Sequence, residues 1–267
     1  MALDIVRAES VGQAASVLAG DDGARFLGGG TFLVRALTAG DPSIRKLVLM
    51  EGLGGVAVGD TVTIGSAATM ATVASAPGLA FLAPVAESIG GPALRTMATV
   101  GGNLFARSPY GDFTVALLAL GAEVVRATAA GETTEDLESF LARDEPRGVV
   151  RVVQFARPGE GAFRYLKVTR KHPHGASVLS LAALLPVADG KLANVRVAYG
   201  AMAKRPMRAR AVEAALEGRA LDAGSIAAAV AVAAEGTAPE DDPQASAWYR
   251  REVVGVHLGR LLSGEAR

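Results

Sequence analysis

The sequence predicts an α+β chain in two parts, and three observations carry that expectation. Short segments with helical and strand spacing of apolar residues interleave as far as Phe155. A breaker-rich stretch, Pro158-Gly159-Glu160-Gly161, then separates two apolar segments as a linker does. Beyond it three strand-like runs come first and three helical runs follow, an order that fits a small antiparallel three-stranded sheet layered against three helices. With 267 residues the chain is long enough for two modest domains, and the linker divides it into 1–160 and 161–267.

Val11, Ala14, Ala15 and Leu18 recur at helical spacing, and Gly20 ends that helix. Residues 25–27 read as a short strand, and so do residues 46–50. Val56, Val58, Val62 and Ile64 alternate around Gly59-Asp60, which signals a hairpin. Residues 70–76 and 82–89 read as short helices, with Pro84 tolerable only in a first turn. Phe113, Ala116, Leu117 and Leu120 define the buried face of a further helix stopped by Gly121. A strand is expected over 122–127, a helix over 134–143 and a strand over 149–155. After the linker, residues 163–169, 177–187 and 192–201 are the three strand-like runs, with Asp189-Gly190 turning between the last two. Helices are expected over 208–216, 222–235 and 246–262.

Composition removes several classes of function. The 27 basic and 27 acidic side chains balance, so no field draws the chain to nucleic acid or an anionic membrane. There is no cysteine, hence no disulfide, no thiolate-bound zinc and no iron–sulfur cluster held by this chain. The first residues lack the basic flank and apolar core of a signal peptide, and the apolar run over 178–188 is too short to span a bilayer, so the cytoplasm is expected.

Two glycine-rich stretches stand out. Gly28-Gly29-Gly30-Thr31 follows the apolar Phe26-Leu27, and Thr99-Val100-Gly101-Gly102-Asn103 precedes a helical run. Removing Cβ atoms from a tight turn leaves backbone N–H groups free to point at an anion, and phosphate is the commonest partner of such a concavity. The pair would grip a pyrophosphate from both sides. A β-branched side chain at Gly29 or Gly101 would fill that space and could not readily adopt φ > 0. Ordinary glycine turns are the alternative. A Rossmann site is not expected, because Leu33 stands where the third glycine of Gly-x-Gly-x-x-Gly belongs and the phosphate-loop lysine is missing.

Other polar residues carry two readings each. Asp112, ahead of an apolar helix, is either an N-cap or a carboxylate that accepts hydrogen bonds from a ligand. Lys167 is either a solvated lysine on a strand or a cation near a ligand. Lys171-His172-Pro173-His174 offers two imidazoles with no third ligand nearby and reads as a polar loop rather than a metal site.

From Arg95 the chain runs Arg-Thr-Met-Ala-Thr-Val-Gly-Gly-Asn-Leu-Phe-Ala-Arg-Ser-Pro-Tyr-Gly-Asp-Phe. This resembles the flavoprotein (medium) subunit of molybdenum hydroxylases, the xanthine dehydrogenase and carbon monoxide dehydrogenase group, with its Thr-x-Gly-Gly-Asn-Leu turn and Ser-Pro-x-x-Asp. Residues 26–33 resemble that family's other flavin loop, and Tyr249-Arg250-Arg251 matches a Tyr-Arg-Arg commonly found in its last helix. The resemblance covers nearly the whole chain. It implies a vanillyl-alcohol-oxidase-type FAD-binding domain of two subdomains, about 1–55 and 56–160, and an α+β C-terminal domain.

It also implies a site. FAD would contact Leu27, Gly28, Gly29, Gly30, Thr31, Phe32 and Leu33 on one loop and Thr99, Val100, Gly101, Gly102 and Asn103 on the other. Asp112 and Lys167 would bind or approach the flavin, and Val150 and Ile89 would pack near its ring. The attachment is expected to be non-covalent, and no side chain is assigned as acid, base or nucleophile. Phe32, Thr96 and Gly28 replace the family's usual Asp, Asn and Ala.

The partners implied are a small subunit carrying 2Fe-2S clusters and a large subunit carrying the molybdenum cofactor, with NAD, a quinone or oxygen as acceptor. A self-contained FAD oxidase or reductase and a flavin-less scaffold subunit are the rival readings.

Overall fold

The computed structural model describes residues 3–143, 148–171 and 175–265; the His172 to His174 stretch lies outside them. The chain opens with β1 (Asp4–Arg7), α1 (Val11–Gly20), β2 (Ala24–Phe26), α2 (Leu33–Thr38) and β3 (Lys46–Leu49). The three strands form a parallel sheet in the order β1-β3-β2. Ser10 caps α1 by accepting from the Gln13 N–H at 3.1 Å. That helix buries Ala14, Ala15 and Leu18 against Val48, Leu53 and Val149.

A second unit follows with β4 (Val56–Val58), β5 (Thr61–Gly65), α3 (Met70–Ser75), α4 (Ala83–Glu87), α5 (Pro92–Arg95), α6 (Val100–Leu104) and α7 (Asp112–Ala119). Then come β6 (Glu123–Thr128), β7 (Gly131–Asp136), α8 (Leu137–Ala142) and β8 (Val149–Ala156). The strands form an antiparallel sheet ordered β4-β5-β8-β6-β7. Pro84 sits in the first turn of α4, where its missing N–H has no partner to lose.

Beyond the linker lie β9 (Phe163–Thr169), β10 (Ser177–Leu184), β11 (Val187–Ala188), β12 (Lys191–Leu192), β13 (Arg196–Gly200) and β14 (Met207–Arg208). The helices α9 (Arg210–Leu216), α10 (Ala223–Ala231) and α11 (Ala247–Ser263) complete the described chain. No helix among the described residues is long and apolar enough to cross a membrane.

Three expectations are corrected. The C-terminal sheet has four strands, β14-β13-β10-β9, because the two-residue β14 adds to β13. The runs over 177–187 and 192–201 each break, and Val187–Ala188 pairs with Lys191–Leu192 as a separate ribbon around Asp189 (φ 52°) and Gly190 (φ 76°). The helix expected over 134–143 begins only at Leu137: residues up to Asp136 pair with β6, and Asp136 caps α8 through the Ser139 N–H at 2.8 Å.

Every residue of α7 is buried, as befits a helix with neighbours all round. It packs on β10 and β13 on one side and on α4, α6 and α8 on the other. The opposite face of the β9-β10-β13 sheet carries Leu179, Leu181, Val197 and Tyr199 into a core shared with α9, α10 and α11. In that last helix Arg250 is wholly buried. Its guanidinium donates to the carbonyls of Val178 (2.7 Å), Glu240 (2.5 Å) and Ala245 (3.0 Å) and to Asp242 Oδ2 (2.7 Å). The Tyr-Arg-Arg signature is thus a structural clamp at Arg250, while Tyr249 and Arg251 are exposed.

Candidate functional site

The first glycine loop leaves β2 and enters α2. Leu27 N–H donates to the Val48 carbonyl at 2.8 Å, which ends the sheet pairing. Among the described residues, none of the next five N–H groups, Gly28 to Phe32, has a hydrogen-bond acceptor. Gly30 takes a left-handed φ of 70°. Successive N–H groups around one left-handed residue form a concave nest for an anion.

The second stretch is not the turn expected. Thr99 is the N-cap of α6, and its Oγ1 accepts from the Gly102 N–H at 3.1 Å. Three more amides are engaged: Val100 donates to the Ala68 carbonyl (2.9 Å), Gly101 to the Ser66 carbonyl (2.8 Å) and Asn103 to the Thr99 carbonyl (3.0 Å), while the Thr99 N–H has no acceptor among the described residues. Free amides therefore come chiefly from the first loop, and the second supplies a preformed wall with the single free N–H of Thr99.

The glycines are required by close approach. A Cβ on Gly29 would stand 1.6 Å from the Met97 carbonyl oxygen, and one on Gly101 would stand 2.8 Å from the Ser66 Cβ. A Cβ on Gly28 would stand 2.9 Å from Thr99 Oγ1, so the two loops touch. Gly30 alone of the five loop glycines has positive φ, which corrects the backbone argument for Gly29 and Gly101.

Between the loops lies a cleft of about 370 Å³. Of the residues expected at the site, Leu27, Gly28, Gly29, Thr99, Gly101, Gly102 and Val150 line it. Val150 reaches it from the start of β8, beside the irregularity where β6 slips against β8. Sequence reasoning missed Met50, Ser66, Ala67, Thr69, Met97, Phe105 and Gly148 on the same lining. The small residues of Gly65-Ser66-Ala67-Ala68 after a strand are the signal that was available for part of that wall.

The remaining expected residues stand elsewhere. Thr31 and Leu33 are half-buried beyond the lining, and Phe32 points into an exposed edge-to-face pair with Tyr110, centroids 5.3 Å apart. Val100 is core. Asn103 is buried and faces α7: its Oδ1 accepts from the Thr114 N–H (3.1 Å), and its carbonyl accepts from Thr114 Oγ1 (2.9 Å). Ile89 packs on the central core. Arg95 donates to the carbonyls of Glu87 (2.9 Å) and Gly90 (2.5 Å).

Asp112 is not an N-cap; Gly111 holds that position. The carboxylate is buried and meets Lys167 Nζ at 2.7 Å and Ser177 Oγ at 2.6 Å. Lys167 also donates to the Ser88 carbonyl at 2.8 Å, and the Ser88 hydroxyl meets the Tyr165 phenol at 3.1 Å. Burial, with the nearby Asp112 charge adding to it, holds the Tyr165 phenol well above its ordinary value, so it is neutral at physiological pH.

A nest of free amides facing a glycine wall, set in an α+β scaffold without a Rossmann fingerprint, has the form of a site for the phosphates of a nucleotide cofactor. Family comparison makes this specific. Residues 1–151 match the model of the FAD binding domain in molybdopterin dehydrogenase, and residues 163–264 match the CO dehydrogenase flavoprotein C-terminal domain. The chain belongs to this family of FAD-binding flavoprotein subunits of molybdenum hydroxylases, and FAD is its cofactor.

Among its relatives is the glyceraldehyde dehydrogenase medium chain of Sulfolobus acidocaldarius, 28% identical over 94% of each chain. The carbon monoxide dehydrogenase medium chain of Afipia carboxidovorans is 28% identical over 97% of this chain and 95% of that one. In structure the chain superimposes on a chain of Cu,Mo-CO dehydrogenase with a TM-score of 0.89 and 25% identity, covering 98% of this chain and 97% of the other.

Proposed function

We propose that this chain receives electrons from a cluster-bearing partner and relays them through FAD to an acceptor. The observation that carries the reading is the row of five unengaged amides from Gly28 to Phe32 opposite the glycine wall. These amides would hold the pyrophosphate, Gly101 and Gly102 would close the other side by contact, and Thr99 would add its unengaged N–H there. Thr31 would add a hydroxyl at the nest, while Leu27 and Val150 would shield the cofactor from water. Asn103 would act by fixing α6 to α7, and Phe32, Leu33 and Val100 by shaping the loops. When bound, FAD accepts electrons one at a time, stores two and releases them to NAD, a quinone or oxygen.

The scaffold in this reading is of the vanillyl-alcohol-oxidase type, with subdomains 1–55 and 56–160 and a C-terminal domain over 161–267. The chain contains no thiolate for a cluster. Electrons would therefore come from the 2Fe-2S clusters of a small subunit, which receive them from the molybdenum cofactor of a large one. The cytoplasm is the compartment this implies.

The test is purification of the lone chain. It is expected to be yellow, to release all its flavin on acid precipitation and to be reducible by a chemical reductant. It is also expected to oxidise no aldehyde, purine or carbon monoxide until small and large subunits are added. Turnover of an organic substrate by the lone chain, on the order of 1 per second or faster, would establish a self-contained oxidase instead. A colourless chain that takes up no added FAD would establish the scaffold.

A further inference from the structure

The last helix, α11, carries apolar side chains on both of its faces. Arg250, Val254, Leu258, Leu261 and Leu262 are buried against the rest of the chain. On the outer face Trp248 is 67% exposed, Tyr249 45% and Val256 55%. Large apolar side chains gathered in one exposed patch mark an interaction surface, and aromatic rings dominate the energetics of such contacts.

The charges on this face say what fits it. Trp248, Glu252, Val256, Arg260 and the C-cap Gly264 recur at a spacing of four, which makes them one ridge on the helix surface, and all five are exposed. Among the described residues neither the Glu252 nor the Arg260 side chain has an ion-pair or hydrogen-bond partner. Glu252 lies one helical turn before Val256 and Arg260 one turn after it. The ridge is therefore complementary to its own reverse.

Let two copies of α11 cross antiparallel at Val256. Glu252 of each copy then meets Arg260 of the other, and Trp248 of each meets Gly264 of the other, where no side chain competes for the space. Ridges of this spacing align when helices cross at about −50°, the commonest class of helix packing. The result is an isologous contact, the kind that closes a twofold dimer. With 27 acidic and 27 basic side chains in each copy, no net repulsion opposes the approach.

We propose that the outer face of α11 is a homodimer interface whose occupant is the α11 of a second copy of this chain. The symmetry of charge about Val256 selects a second copy, because an unlike partner requires no such symmetry. The inference is independent of the cofactor and of the electron path.

The experiment measures the mass of the full chain by sedimentation velocity and the emission of Trp248, the single tryptophan of the sequence. A contact of one helix per copy falls below the roughly 1,200 Å² at which specific interfaces become strong, so the range is about 1 to 100 μM. The wild type is expected to pass from monomer to dimer within it, and the emission to shift to the blue along the same curve as the indole leaves water. Glu252→Arg and Arg260→Glu each place like charges at both contacts, and each alone should associate at least about tenfold more weakly, a step of about 1.4 kcal/mol. An equimolar mixture of the two variants restores opposite charges at both contacts and should associate as the wild type does. The double variant, Glu252→Arg with Arg260→Glu, should do the same. Recovery in the mixture also shows that each variant is folded.

A wild type that stays monomeric across the range would overturn the proposal. So would a dimer that both single variants preserve, a mixture that stays as weak as its components, or dimerisation with unchanged tryptophan emission. A monomer whose emission shifts only when small or large subunit is added would give the face to that subunit instead.

Discussion

Gly29→Ala is the most direct probe of the cleft, because the obstacle it meets is backbone. The added Cβ would lie 1.6 Å from the Met97 carbonyl oxygen, whereas real Cβ contacts essentially never fall below 3.0 Å. The loops must therefore part by at least 1.4 Å, the difference of those two distances. Met97 cannot supply the movement, since Ala98 next to it donates to the Leu94 carbonyl at 2.8 Å and accepts from the Met70 N–H at 2.8 Å. The first loop yields instead and carries its amides with it.

Overpacking of this kind costs about 1–3 kcal/mol, and a displacement of about 1 Å at a positioned site is worth roughly a hundredfold. FAD affinity, followed by flavin fluorescence on titrating the stripped protein, is expected to fall by ten- to a hundredfold, on the order of 1.4–3 kcal/mol. Gly28→Ala is the control, for its Cβ meets only the Thr99 hydroxyl, at 2.9 Å. It should weaken binding by less than about tenfold, under 1.4 kcal/mol. If Gly29→Ala binds FAD as wild type does, with an unchanged urea midpoint, the first loop does not depend on the Met97 contact and the reasoning fails.

Thr99→Val removes the acceptor for the Gly102 N–H at 3.1 Å; the loss of such a cap is worth about 1 kcal/mol and should lower Tm by about 2–4 °C in a chain of this size. Arg250→Ala strips three carbonyls and Asp242 of a buried partner and should cost about 3–5 kcal/mol in urea unfolding. Arg250→Lys should recover little of that, since an ammonium cannot span the same fork. Burial, and to a lesser degree Arg260, depresses the His257 pKa. The unfolded chain therefore takes up a proton near pH 6.5 before the folded one does. Stability from this group is complete above that pH and is lost as pH falls toward the lower folded pKa. His257→Gln should flatten that limb of a pH–stability curve, and a curve unchanged by it would contradict the assignment.

Local signals were sufficient where the structure is local. The final helix starts at the Ser246 cap and stops at Gly264, which has φ 79°, and the Gly59-Asp60 hairpin pairs as its alternation requires. Gly-Gly within α6 read as a turn because glycine disfavours helix by about 1 kcal/mol per residue. Close packing of Gly101 on Ser66 and the Thr99 cap override that preference. β7 escaped because Glu132, Thr133 and Thr134 are polar and exposed, so pairing with β6, not an apolar pattern, makes them a strand.

The site was legible in outline and not in its chemistry. Both glycine loops announce themselves and Val150 came only through the family resemblance, yet which amides remain free is decided by acceptors at Ser66 and Ala68, far from either loop in sequence. The pairing of Asp112 with Lys167 joins residues 55 positions apart, and no local pattern encodes it.

The helix α7 belongs to both halves of the chain at once. Its neighbours in the central core include Ala182 and Ala198 from the sheet beyond the linker, and the same sheet's other face is closed by α9, α10 and α11. Cleavage at 158–161 therefore cuts the chain without freeing either piece, because separation would strip one side of α7 and one face of β10 together. Melting should remain a single cooperative transition after such a nick. Loss of packing anywhere in the C-terminal core is then felt at the turn that carries Asp112 and Thr114, so the integrity of the cofactor cleft is read out by residues that never approach it.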